Sequence, residues 1–351
     1  MPTAQLLGLP VRWPIVGAPM AGGPSTPALA AAVSNAGGLG FLAAGYLTTE
    51  VMAEQIRTCR ELTPSPFGIN LFMPQSPDVD RGALARYLET LGPEAEALGV
   101  DVVASWDDDG WNEKVEHLIE DPVAAVSFTF GCPAPEIVQR LHHVGSRVVV
   151  TVTTPAEAAL ALAAGADAVG AQGIEAGGHL GTFDDDVAPD TGWGLLALVT
   201  AIGHQVPVPV IAAGGLMTGS DVAAVVRAGA VAGQLGTALL CSEESGASHV
   251  HKAALSDPSF QMTAITRAFS GRRARGLVNN FMRAHPDAPS AYPYINNATR
   301  ALRRQAVARD DPHGTNLWAG QGFRLAETRP ASEIIMRIGS EFEIPGAGTR
   351  Q

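Results

Sequence analysis

The sequence predicts a (β/α)8 (TIM-type) barrel with a small, mostly helical cap domain inserted late in the chain. Three observations predict it. Eight short apolar runs recur over the first 240 residues, each leading into an Ala-rich stretch with a helix-start signal. The runs are continuously apolar, the pattern of parallel strands covered on both faces. No GxGxxG follows the first run, which counts against the rival, an open doubly wound sheet.

The runs give strands at Pro14–Ala18, Leu39–Ala43, Phe67–Phe72, Ala124–Phe128, Arg147–Val152, Ala168–Gln172, Val208–Ala212 and Val231–Leu235. Between them lie helix starts. Ser25-Thr26-Pro27 precedes Ala28–Ala36. Thr154-Pro155-Ala156-Glu157 has a capping residue, a proline at the first helical position and a glutamate at capping-box spacing. Ser220-Asp221 opens the helix before Gly229. The stretch Pro74–Glu120 is acidic and too long for a plain connection, so extra helices are expected there. After Leu240 the composition turns polar. The expected division is a barrel of residues 1–241 and 305–351 and an inserted cap of residues 242–304. A closing helix is expected over Ala331–Ile338.

At 351 residues and 46% hydrophobic, the chain can bury a large core. Its net charge of −12 opposes non-specific association with nucleic acid or anionic membrane surfaces. No run reaches the length of a membrane span, and no signal peptide is visible at the N-terminus. Cys59, Cys132 and Cys241 are odd in number and widely spaced, and fit neither a disulfide framework nor a metal site. A reduced, cytoplasmic setting is expected. A homo-oligomer is compatible with the sequence.

The most informative stretch is Gln172-Gly173-Ile174-Glu175-Ala176-Gly177-Gly178-His179, directly after the sixth strand. Glycines let backbone approach a ligand closely, and an imidazole in such a turn can act on what lies there. His179 alone among nine histidines occupies a glycine-rich strand end; the others read as solvated or structural. No His/Asp/Glu spacing reads as a metal site. Cys132 reads as a packing residue, and Ser242 and Ser270 lack an elbow motif.

A barrel of this kind places its active site at the C-terminal strand ends, with phosphate held by the loops after strands seven and eight. Ala213-Gly214-Gly215-Leu216 and Gln234-Leu235-Gly236-Thr237 stand at those places, and glycine-freed amides bind phosphate. One phosphate and one planar ring suggest flavin mononucleotide (FMN). Ala18, Pro19 and Met20 end strand one, Asn70 lies in strand three and Gln172 ends strand six, where amides can meet both donors and acceptors on a ring edge.

Several segments together resemble the nitronate monooxygenase (2-nitropropane dioxygenase) family, most of all its bacterial class I. They are Pro14-Ile-Val-Gly-Ala-Pro-Met-Ala-Gly, Phe67-Gly-Ile-Asn-Leu-Phe, Gln172-Gly-Ile-Glu-Ala-Gly-Gly-His, Ala213-Gly-Gly-Leu, Gln234-Leu-Gly-Thr, Thr266-Arg-Ala-Phe-Ser-Gly-Arg and Trp318-Ala-Gly-Gln. The resemblance spans nearly the whole chain. It implies an FMN-dependent monooxygenase without metal, acting on alkyl nitronates such as propionate 3-nitronate with O2. The products would be a carbonyl compound and nitrite. It implies FMN contacts at Asn70, Gln172, Gly177, Gly178, Gly214, Gly215 and Gln234 to Thr237, and an active-site role for His179. That role is either a protonated anchor for the nitronate or a neutral base toward a nitroalkane. Two rivals stand beside it. One is a flavin-dependent enoyl-acyl-carrier-protein reductase, which would need a local basic patch; Arg267, Arg272, Arg273 and Arg275 are the candidates. The other is a non-catalytic barrel that binds phosphorylated ligands.

Overall fold

The computed structural model describes residues 4–186 and 192–343. Eight parallel strands form one sheet: β1 (Ile15–Gly17), β2 (Gly40–Ala43), β3 (Phe67–Phe72), β4 (Ala125–Thr129), β5 (Arg147–Val152), β6 (Ala168–Gln172), β7 (Val210–Ala213) and β8 (Ala232–Leu235). The order is β1-β8-β7-β6-β5-β4-β3-β2. A parallel bridge between Val16 and Leu39 joins the two ends, so the sheet closes into a barrel. All eight expected strands are present, within a few residues of the expected limits.

Helices alternate with the strands: α1 (Pro27–Asn35), α2 (Thr49–Leu62), α3 (Trp111–Glu120), α4 (Pro135–His143), α5 (Pro155–Ala163), α6 (Leu195–Gln205), α7 (Gly219–Arg227) and α8 (Ala331–Glu343). Local chemistry starts them. Thr26 Oγ1 accepts the Leu29 amide, and Thr154 with Glu157 makes the reciprocal capping box. At α7 the cap is Thr218, paired with Asp221, two residues before the expected Ser220 start. The aspartate reaches back to the cap amide as a glutamate does in α5, so the box, not the serine, sets the boundary.

Alternation along each strand divides the core. Val16, Phe41, Ala125, Val149, Ala168, Ile211 and Ala232 fill the barrel interior. Residues of the opposite parity, such as Ile15, Val150, Val210 and Leu235, pack outward against the helices. Gly68 is small because the Phe41 ring occupies its space; a Cβ there would lie 2.4 Å from Phe41 Cε1. A hairpin of Ala4–Leu6 and Leu9–Val11, absent from the sequence expectation, plugs the barrel floor with Leu6 and Val11. Its turn residues, Leu7 and Gly8, both have positive φ, the conformation a two-residue hairpin requires.

A second apolar cluster lies beside the barrel mouth. It joins Leu84, Tyr87 and Ala95, from helices Arg81–Thr90 and Gly92–Leu98, and Leu91 between them, to Phe269, Phe281, Ile295 and Leu302. A three-stranded sheet borders it. Ala274–Leu277 is the central strand, between Thr263–Thr266 and the short strand Gly178–His179. Ala274 pairs with His179 and Arg275 with Gly178, so the turn carrying His179 is held as a sheet edge.

Candidate active site

A cavity of about 870 Å³ opens at the C-terminal ends of the barrel strands, within the range of roughly 300–1,000 Å³ usual for small-molecule sites. The β1 end contributes Ala18, Pro19 and Met20 to its wall. Asn70 and Gln172 enter from β3 and β6, and Gly177, Gly178 and His179 from the turn after β6. Gly214, Gly215, Gln234, Gly236 and Thr237 complete the rim after β7 and β8. Leu235 differs: its side chain is buried in the outer apolar layer, and only its carbonyl, accepting the Ala18 amide, reaches toward this rim.

The glycine turns have unclaimed donors. Gly214 and Gly215 adopt φ of 130° and 69°, accessible at low cost only to glycine. Their amides donate to no protein acceptor among the described residues. Among the described residues the Gln234 side chain is likewise without a protein partner. Thr237 Oγ1 accepts the Gly320 amide at 2.9 Å, which brings the tail segment Trp318–Gly322 over the rim. Asn70 Nδ2 donates to Ser127 Oγ and Thr129 Oγ1, which leaves Oδ1 as an acceptor. Gln172 is used differently. Its Nε2 donates to the His179 carbonyl at 3.0 Å and its Oε1 accepts the Gly181 amide at 2.6 Å, so it sets the position of the histidine turn.

His179 sits in an aromatic box. Its ring centroid lies 5.7 Å from Phe130, 6.0 Å from Tyr292 and 5.5 Å from Trp318. Nε2 lies 2.8 Å from Ser270 Oγ, and that hydroxyl is 3.1 Å from the Arg272 carbonyl. With the hydroxyl proton turned to the carbonyl, which can only accept, Nε2 donates to the serine oxygen. Nδ1 is then the basic nitrogen, without a protein partner among the described residues. Burial, reinforced by the positive charges of Arg272 and Arg303, pulls the imidazole down to about 3. It is neutral at physiological pH.

Sequence reasoning missed several wall residues. His251 Nε2 lies 3.0 Å from the Trp318 carbonyl, and burial pulls this imidazole down to about 4. Sequence reasoning reads His251 as solvated or structural; it is buried, and it stands in the cavity wall. Arg300, Arg303 and Arg304 also line the cavity, and no aspartate or glutamate does so among the described residues. The sequence signal was the i, i+3, i+4 spacing of these arginines on one helix.

The arginines expected as a surface patch are not one. Arg272, Arg273 and Arg275 are buried. Arg272 Cζ stacks 4.2 Å over Phe130, and Arg275 Nε donates to the Ile174 carbonyl. Asp185 binds both Arg267 (2.9 Å) and Arg273 (3.0 Å). Buried guanidinium groups need such partners, and Asp185 lies too far along the chain for its pairing to be read from the sequence.

Comparison with known proteins shows the family. The nitronate monooxygenase family model matches residues 5–341. The chain belongs to the nitronate monooxygenase family. It is 43% identical over 349 residues to a nitronate monooxygenase of Pseudomonas aeruginosa, covering 96% of this chain and 98% of that relative. A nitronate monooxygenase of Paraburkholderia phytofirmans is 39% identical, over 94% of this chain and 92% of that protein. Among solved structures, a nitroalkane oxidase from Streptomyces ansochromogenes superimposes with a TM-score of 0.93 at 50% identity, over 95% and 96% of the two chains. FabK from Thermotoga maritima shares the fold at a TM-score of 0.73 and 30% identity, over 95% and 93%. This member of the nitronate monooxygenase family is therefore an enzyme on a (β/α)8 barrel, built for a small-molecule substrate. Among the described residues no helix is long and apolar enough to cross a membrane, and no cluster of three or more His, Cys, Asp or Glu side chains could hold a metal.

Proposed function

We propose that the cavity holds FMN and that the enzyme carries out oxidative denitrification of alkyl nitronates with O2, giving a carbonyl compound and nitrite. One observation carries this reading: unclaimed glycine amides and a neutral, half-buried His179 share a cavity with no carboxylate in its wall among the described residues. That donor set suits an anionic cofactor and an anionic substrate. Gly214, Gly215, Gly236 and Thr237 would hold the phosphate; Asn70, Gln234 and the β1 end would meet the ring. When bound, FMN supplies the one-electron oxidation of the nitronate and the route to oxygen.

The chain's own residues do the rest. Neutral His179 takes an α-proton from a nitroalkane at Nδ1, while Ser270 holds its Nε2–H. Gln172 fixes the turn. Phe130, Tyr292 and Trp318 exclude water from the imidazole. The neutral state favours the role of base over that of charged anchor.

The test is direct. The purified protein should be yellow, and should consume O2 and release nitrite from propionate 3-nitronate. A protein that takes up no FMN, or that releases no nitrite from any nitronate, overturns the reading. The likeness to FabK supports a second reading, a flavin-dependent enoyl-acyl-carrier-protein reductase. The burial of the expected basic patch weighs against it. Rapid bleaching of the flavin by NADH without oxygen would favour it.

Residues 242–304, together with helices Arg81–Thr90 and Gly92–Leu98, are proposed to act as one cap over the cavity, since their apolar faces share a cluster. A cytoplasmic setting is proposed from the three free cysteines.

A further inference from the structure

The helix Tyr294–Ala308 forms one wall of the cavity and turns Arg303 into it. Among the described residues every hydrogen-bond acceptor around this guanidinium is uncharged. Nε donates to Thr299 Oγ1 at 3.2 Å, and Nη1 to Asn316 Oδ1 at 3.3 Å. Nη2 donates to the carbonyl and to Oδ1 of Asn296, at 2.8 and 3.0 Å. A guanidinium has five N–H groups; these bonds use four, and one on Nη1 remains.

Among the described residues no carboxylate acts on Arg303. The groups that do, apart from burial itself, are the phenols of Tyr46 and Tyr292 and the neighbouring Arg300. Burial draws the guanidinium down to about 10, so it stays charged at neutral pH. Taking a charge out of water without a counterion is costly. The cost is conspicuous in a chain with 35 acidic residues and 23 basic ones, where Arg267 and Arg273 share Asp185. A counterion that arrives with the ligand resolves it. The Arg303 charge also acts on His179, so the two face a common space.

We propose that Arg303 is the anion anchor of the substrate site, and that Asn296, Thr299 and Asn316 orient it with neutral acceptors so that its charge is left for the ligand. The proposal rests on the nitronate reading and adds to it. With His179 neutral, the positive charge that holds the nitronate comes from Arg303. The anion binds here, apart from the glycine amides after β7 and β8.

Asn296→Asp is the sharpest test, because it changes charge at nearly constant volume. It places a carboxylate at the position now 3.0 Å from Nη2. With the FMN-loaded enzyme at neutral pH, KM for ethyl nitronate should rise at least tenfold while kcat changes less than about threefold. FMN affinity should be unchanged. Arg303→Lys should retain part of the affinity that Arg303→Met loses. A second readout needs no turnover: calorimetric binding of inorganic nitrate, a planar anion with the same O–N–O group, should weaken in the same order. Wild-type KM and wild-type nitrate binding in both Asn296→Asp and Arg303→Met would overturn the proposal and leave the nitronate reading intact. If the wild-type enzyme oxidises no nitronate, yet nitrate binds and both variants lose it, the nitronate reading fails and the anion anchor stands.

Discussion

Ser270 Oγ lies 2.8 Å from His179 Nε2 and 3.1 Å from the carbonyl of Arg272. The two contacts fit together when serine donates to the carbonyl and histidine donates to serine. That arrangement leaves Nδ1 as the only basic atom of a half-buried, neutral imidazole.

A base of this kind matters where a proton must be removed. His179→Asn should cut kcat/KM on a neutral nitroalkane such as nitroethane by about 10²–10⁴-fold, the usual weight of general base catalysis. On a preformed nitronate the same variant should lose far less. Parallel assays on nitroethane and ethyl nitronate check this, and equal losses on both would argue for an anchoring role.

Ser270→Ala removes the acceptor of Nε2–H and leaves a buried donor unpaired. A cost of about 1–3 kcal/mol in stability follows, together with a fall in nitroethane turnover. Ser270→Thr keeps the hydroxyl and should restore most of both. Thermal unfolding and initial rates on the two variants provide the check.

Acid should destabilise the fold through its buried imidazoles. The folded-state values of His179 and His251 lie at about 3 and 4, below the roughly 6.5 of an unfolded histidine. Between these limits the unfolded chain binds more protons than the folded one, so stability falls as pH drops below about 6.5. At pH 5 each imidazole accounts for about 2 kcal/mol of that loss. His251→Gln should therefore lose less stability between pH 7 and pH 5 than the wild type does, as urea unfolding at the two pH values would show. Equal losses would contradict a neutral, buried His251.

Gly215 has φ of 69°, and a Cβ there would lie 3.2 Å from Glu175 Cβ. Gly215→Ala should cost about 1–2 kcal/mol from the left-handed backbone alone. It should also weaken FMN binding, because the turn that points the amide is disturbed. Flavin fluorescence titration separates the two effects: a stability loss with unaltered FMN affinity would move the phosphate elsewhere.

The barrel was legible because its strands are buried on both faces and so read as unbroken apolar runs. The α5 capping box was legible because its partners lie within four residues. The floor hairpin was not, since three-residue strands carry no periodic signal. Pairings over long separations were hidden in the same way. Asp185 with Arg273 and His251 with Trp318 are 88 and 67 residues apart. Without those partners, buried arginines read as a surface patch and a cavity-wall histidine as a solvated or structural one. The glycine turns and the His179 turn could be located because each follows a strand. What lines the cavity opposite them comes from the helix Tyr294–Ala308, whose direction of approach only packing decides.

The central claim is that the two glycine turns after β7 and β8 hold a phosphate carried by a flavin. Comparing the affinity of apoprotein for FMN and for riboflavin, which differ only in that phosphate, tests it most directly. The account predicts one FMN site per chain and at least tenfold weaker riboflavin binding, a difference of about 1.4 kcal/mol or more. Equal affinity for the two flavins, or no uptake of either, would contradict it.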